Sequence, residues 1–298
     1  MSSTTTGNDD EYFSAESSAW MIDDNHHSIS TIAITLKSFQ SILTVSPKHI
    51  LVNEDSNKRK RLILMDNNLK RCSTTSSITK DIIDAVWHSV EQKFFLLTET
   101  KVFTFDPITK LIESLSDMKS PDRKSFKCFT TFNNQPSLYI AYNEWGSQFI
   151  DEWQRRKDNN RWILIKKHSL NLTANEFIGT MLGIAQDESS NLAMTIYNDF
   201  TQQWRLELRS AETFMCLKNI LLSGSNLTDD YRIVEMRNMA LDIKWLIHSL
   251  NHRDIIGINS NYKKIPLSYK TPVNRMTQFN NNKLVILTNN ELQVHCVF

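Results

Sequence analysis

An all-β fold of small, repeated antiparallel sheets is what this sequence predicts, on three observations. Short apolar runs rich in β-branched and aromatic residues follow one another across turn-sized polar gaps. The plainest case is 81–109, DIIDAVWHSVEQKFFLLTETKVFTFDPIT, with runs at 82–87, 94–98 and 102–105 ended by Asp106-Pro107. The pattern then recurs: Lys93 to Thr98, three residues and Val102 match Lys283 to Thr288, three residues and Leu292. Third, no stretch carries the sustained 3.6-residue apolar period of a long amphipathic helix, which weighs against the competing fold, an open all-β or α+β pair of domains. A meander of this size buries one face only against others like it, so repetition is a physical requirement.

Taken in order, residues 1–19 are polar and acidic and read as a disordered leader, leaving 20–298 for one domain. Runs at 20–22 and 29–34 flank a polar turn of Asp23, Asp24, Asn25, His26 and His27. Groups of strands follow at 42–45, 50–52 and 62–65, then at 82–87, 94–98 and 102–105 with 111–115 as an outer strand. The next is 126–132, 138–142, 149–153 and 162–165, where the polar stretch 154–161 reads as an extended hairpin loop. Then come 178–184, 192–197, 204–208 and 214–217, then 233–236, 241–250 and 255–258, and finally 273–279, 284–288 and 292–297. Asp66, Asp106 and Ser210 close third strands, with Thr109 and Thr213 three residues beyond the last two. A short polar side chain there bonds back to the backbone and fixes the turn into the outer strand. Equivalent points recur about every 40 residues, the period of four-stranded propeller blades.

At these residues the chain resembles a divergent β-propeller of the WD-repeat type, over nearly everything from Trp20 to Phe298. Met65-Asp66 and Phe105-Asp106 stand where that family has Trp-Asp, and Arg209-Ser210 is a weaker match. The chain contains neither Trp-Asp nor Gly-His, and its 6 glycines do not suit kelch-type blades, so the likeness is one of architecture. It implies a single closed ring of six blades, the three-stranded last group being completed by an N-terminal strand at 29–35. Seven blades is the alternative, should 20–45 form a sheet of its own. Ring closure removes the exposed edges of an open array.

The charge balance, 34 basic against 33 acidic residues, excludes a general electrostatic footprint for nucleic acid. No run approaches the ~18 apolar residues of a membrane span, and the N-terminus has no signal-peptide pattern. The expected compartment is therefore the cytoplasm, with the nucleus open through the basic cluster Lys58, Arg59, Lys60 and Arg61. Four scattered cysteines read as reduced thiols in or near the core. Without export, the sequons at Asn171 and Asn226 read as chance matches. Dinucleotide, P-loop, zincin and hydrolase-elbow motifs are absent, so no catalytic residue, cofactor or metal ligand is assigned. His248 and His252 have a metal-like spacing, but on a strand they read as a solvent-facing pair.

Candidate interaction residues are Lys58, Arg59, Lys60 and Arg61 at one hairpin tip, and Arg155, Arg156 and Lys157 at another. Trp145, beside Gly146, is the tryptophan expected at the surface; the others are expected between sheets. The preferred reading is a non-enzymatic platform, a monomeric ring that binds another protein; it rests on architecture. The alternatives are a propeller enzyme with a divalent cation in its central channel, and RNA binding through the two basic loops.

Overall fold

A computed structural model describes residues 20–21, 32–35, 43–56, 59–76, 81–121, 123–132, 135–146, 149–186, 189–222, 230–237, 242–280, 282–289 and 291–296. Among them every regular element is a β-strand, and the arrangement is propeller-like. Two short strands come first, β1 (Trp20–Met21) and β2 (Ile32–Thr35). The first four-stranded sheet runs β3 (Leu43–Val45), β4 (Ile50–Ser56), β5 (Arg59–Met65) and β6 (Arg71–Ser76). The second is β7 (Ile82–His88), β8 (Lys93–Thr98), β9 (Lys101–Phe105) and β10 (Ile112–Lys119). The third is β11 (Phe126–Thr131), β12 (Ser137–Tyr142), β13 (Phe149–Arg155) and β14 (Trp162–Ser169). The fourth is β15 (Glu176–Gln186), β16 (Ser189–Asn198), β17 (Gln203–Ser210) and β18 (Cys216–Leu221).

The expectation of six or seven separate blades in a closed ring is corrected to five sheets, the last of them eight-stranded, curled and open. It runs β19 (Arg232–Glu235), β20 (Ile243–His248), β21 (His252–Asn259), β22 (Lys264–Phe279), β23 (Lys283–Thr288), β24 (Glu291–Cys296) and β2. The cause is β22. Its first part pairs with β21 and its second with β23, so one 16-residue strand joins what the sequence divides in two. Proline biases the residue before it toward extended backbone, and the strand runs on through Thr271-Pro272 across a register shift in its pairing with β21, between Ser268 and Val273. The N-terminal strand β2 pairs with β24, Ile32 opposite Val294 and Ile34 opposite Leu292. β1 does not pair with β2 across the predicted turn; it lies parallel to Leu267 and Ser268 of β22. The turn itself, with His26 and His27, falls outside the described residues, as does the leader 1–19.

The turn after the third strand is held as its sequence indicates. Asp66 Oδ1 accepts the amides of Asn68 and Lys70, both at 2.9 Å, and Asp106 Oδ1 those of Ile108 at 2.8 Å and Thr109 at 3.1 Å. Ser210 Oγ accepts from Glu212 and Thr213, at 3.3 and 3.2 Å. Asn259, unforeseen, does the same for Asn261 and Lys263 at 3.0 and 2.9 Å. Each turn then holds a residue with positive φ: Leu69 (59°), Lys110 (65°), Phe214 (59°) and Tyr262 (62°). That is the left-handed region, costly for a side chain with a Cβ, and the acceptor oxygen offsets part of the cost. Asp106→Ala is expected to cost about 1–2 kcal/mol for the two lost bonds, and Asp106→Asn less than half of that, by urea unfolding. Residues 154–161 are not an extended loop either. β13 continues to Arg155, and Arg156 and Arg161 close a turn of the same kind, with Asn160 at φ 58°.

Apolar side chains fill the space between neighbouring sheets. Trp162 meets Phe95, Phe126 and Phe129 between the second and third; Trp204, Tyr197 and Tyr231 meet Trp245 between the fourth and fifth. Of the cysteines, Cys128 is buried as expected, whereas Cys72 and Cys216 are exposed on outer strands. Among the described residues no helix is long and apolar enough to cross a membrane.

Candidate functional site at the channel mouth

Each four-stranded sheet presents its first strand to a central channel of about 500 Å³, and the eight-stranded sheet presents two, β19 and the second half of β22. Neighbouring inner strands run the same way. Asp84, in the first half of β7, accepts the amide of Phe129, past the middle of β11, while Gln278, late in β22, binds Arg237 just beyond β19. First and third connections of each sheet therefore emerge at one end of the channel, and second connections at the other, where the inner strands begin. The bond from Gly146 N–H to the Glu176 carbonyl, at 2.7 Å, ties a second connection to the start of β15.

That end is charged. Asp84, Arg232 and Arg275 line the channel, and Asp230 precedes β19. Arg232 donates to Asp230 Oδ2 at 2.8 Å, and Lys127 stands 3.5 Å from Oδ1. Asp84 accepts from the amides of Ala85 at 3.0 Å and Phe129 at 3.1 Å. Burial pushes the Asp84 carboxyl above its usual range, and Arg232 with the two amides only partly offsets this. Burial also raises Asp230, but Arg232, Lys127 and Arg275 outweigh it and hold that carboxyl low. Arg275 is pushed down to about 9 by burial and by Arg232, and is still a cation at neutral pH. Burial raises the Cys128 thiol, and Asp84 adds to the effect, so it is an inert thiol and not a nucleophile.

His248 overturns its reading as a solvent-facing residue: it is fully buried, directly across from Arg232 in the β19–β20 pair. Burial, Arg275 and Arg232 together lower its pKa to about 3, so the imidazole is neutral. His252 is exposed at the start of β21. Among the described residues no group of three or more His, Cys, Asp or Glu is placed to share a metal ion.

The sequence-derived candidates fall at both ends. Lys58 lies outside the described residues; Arg59 and Lys60 open β5, and Arg61 is half-buried opposite Glu54. This hairpin is a second connection, so it shares the end of the channel mouth. Arg155 ends the third strand of its sheet, and with Arg156 and Lys157 it sits at the opposite end, around a recess of about 460 Å³. There Arg155 pairs with Glu91, and Arg156 with Asp158 at 3.0 Å. The two basic loops therefore do not combine into one patch. Trp145 is 46% exposed, in the second connection of the third sheet, and rests on Phe177 with ring centroids 5.4 Å apart. Gly146 beside it has φ 61°, and a Cβ there would lie 3.0 Å from the Ala174 Cα, so glycine makes this turn without strain and any other residue would have to push the Ala174 backbone aside.

Sequence reasoning missed Phe200, 84% exposed in the second connection of the fourth sheet, and Phe149, exposed at the start of β13. It missed Asp84, Arg232 and Arg275 as well; a charge inside a run of otherwise β-forming residues was the signal available. From the rim inward the groups are continuous: Trp145 on Phe177, Lys127 over the Phe177 ring at 4.8 Å, then Asp230 and Arg232. Compared with models of known protein families and with curated proteins, the chain matches none.

Proposed function

We propose that this chain is a non-enzymatic protein-interaction platform, whose docking surface is the end of the channel carrying Trp145, Phe149 and Phe200. One observation supports this above the rest: three large aromatic side chains, exposed on adjacent connections at one rim, run into the cations around the channel mouth. Aromatic anchors beside positive charge suit a partner that offers an apolar side chain flanked by acidic residues. Arg61, near the start of β5, would add positive charge to the same end. On this reading the chain is a monomeric, cytoplasmic member of the WD-repeat type. Asp66 and Asp106 would then take the role of the family's Trp-Asp aspartate at the turn.

Affinity capture with mass spectrometry tests it, comparing the wild type with Trp145→Ala and Phe200→Ala. A true partner is expected to be depleted at least about tenfold by Phe200→Ala or Trp145→Ala. Phe200→Ala should leave the unfolding free energy within about 0.5 kcal/mol, because that ring is in water. Proteins recovered equally with all three chains would sink the proposal, and capture abolished by nuclease would point to RNA instead.

A further inference from the structure

The channel mouth holds more positive charge than its own carboxylates meet. Arg232, Arg275 and Lys127 face Asp84 and Asp230. Asp230 serves two of the cations, Arg232 at 2.8 Å and Lys127 at 3.5 Å. Both oxygens of Asp84 are occupied by backbone amides. Arg275 donates to the carbonyl of Asn274 at 3.1 Å, and among the described residues it forms no ion pair. Its guanidinium has five N–H donors, so most of its capacity remains open toward the channel.

A second observation falls on the same place. Among the described residues, buried side-chain atoms without a hydrogen-bond partner gather here: Arg232 Nε is an unmet donor open to an anion, and Asp230 Oδ1 and Asn274 Oδ1 are acceptors that water can serve. Buried polar atoms are almost always satisfied, so such a cluster marks a place where water or an ion belongs.

We infer that the channel mouth binds the phosphate group of a small phosphorylated molecule, held by Arg232 and Arg275. Guanidinium forks match phosphate oxygens bidentately, where a lysine offers only a point charge. About 500 Å³ is ordinary for a small-molecule site, so there is room for the group that carries the phosphate. This site lies inward of the aromatic rim and does not depend on what docks there.

The test uses the full chain. Thermal unfolding and calorimetric titration are run with inorganic phosphate against chloride at matched ionic strength, and with glucose 6-phosphate against glucose. Saturable binding and a raised Tm are expected at concentrations up to roughly 10 mM. Tighter binding of glucose 6-phosphate assigns a phosphorylated small molecule, whereas equal binding assigns the free oxyanion; both outcomes support the phosphate site. Arg275→Gln should abolish binding and Arg275→Lys weaken it at least about tenfold, through loss of the fork. No saturable binding of either probe by the wild type overturns the proposal. So does undiminished binding by either variant, and Arg275→Lys decides should Arg275→Gln not fold. Trp145→Ala should bind phosphate like the wild type, which keeps this result apart from the fate of the docking proposal.

Discussion

Replacing Gly183 with alanine is expected to lower the unfolding free energy by about 3 kcal/mol, a fall in Tm of roughly 5 °C for a chain of this size. Gly183 lies in β15 where that strand approaches β11, and its amide donates to Thr130 Oγ1 at 2.7 Å. A Cβ there would collide with the Thr131 carbonyl oxygen, 3.0 Å from the Thr131 carbonyl carbon and 3.1 Å from Phe132 Cδ1. Carbonyl groups of a paired strand cannot rotate away, so the two sheets would have to part and the Thr130 bond would lengthen. Gly257→Ala is the control. Its Cβ meets the ends of flexible side chains, Ile243 Cδ1 at 3.1 Å and Leu267 Cδ1 at 3.2 Å, and should cost under about 1 kcal/mol. Urea unfolding of both variants decides; a neutral Gly183→Ala would mean that these inner strands do not approach so closely.

Features set by neighbours in sequence were legible. Lys93 to Thr98 and Lys283 to Thr288 look alike because they make the same turn. Thr98 Oγ1 bonds the carbonyl of Lys101 at 3.0 Å and accepts its amide at 3.1 Å, and Thr288 does the same with Glu291 at 3.2 and 3.1 Å. Asp66, Asp106 and Ser210 belong to the same class, for an oxygen two to four residues from an amide needs no tertiary structure to find it. The number of sheets was not legible, because whether Thr271-Pro272 turns or runs on depends on which strands flank it. Nor was the channel mouth. Arg232 and Arg275 are far apart in sequence and meet only because β19 and the second half of β22 both line the channel. Strand alternation put His248 on the face opposite Trp245, yet could not say that this face is covered too. Both residues are buried.

That burial makes acid the other large effect. With a pKa of about 3 in the folded chain against an ordinary 6.5, His248 binds fewer protons when folded than when unfolded throughout that interval. Folding stability from this group is therefore complete above pH 6.5 and is lost as pH falls toward 3, by up to 1.36 kcal/mol per unit and on the order of 5 kcal/mol in all. Asp84 works the other way. Its carboxyl is raised in the folded state by burial, so protonation favours the fold as pH drops. Asp230, held low, loses its stabilising charge only at still lower pH. His248→Gln cannot be protonated in the histidine's range, so it should lose the fall in stability that His248 contributes below pH 6.5 and keep the opposing contribution of Asp84, whatever its absolute stability at neutrality. Denaturant unfolding at a series of pH values measures both slopes. Parallel curves for wild type and variant would show that His248 is hydrated or paired with an anion in solution, and that Arg232 and Arg275 do not hold it neutral.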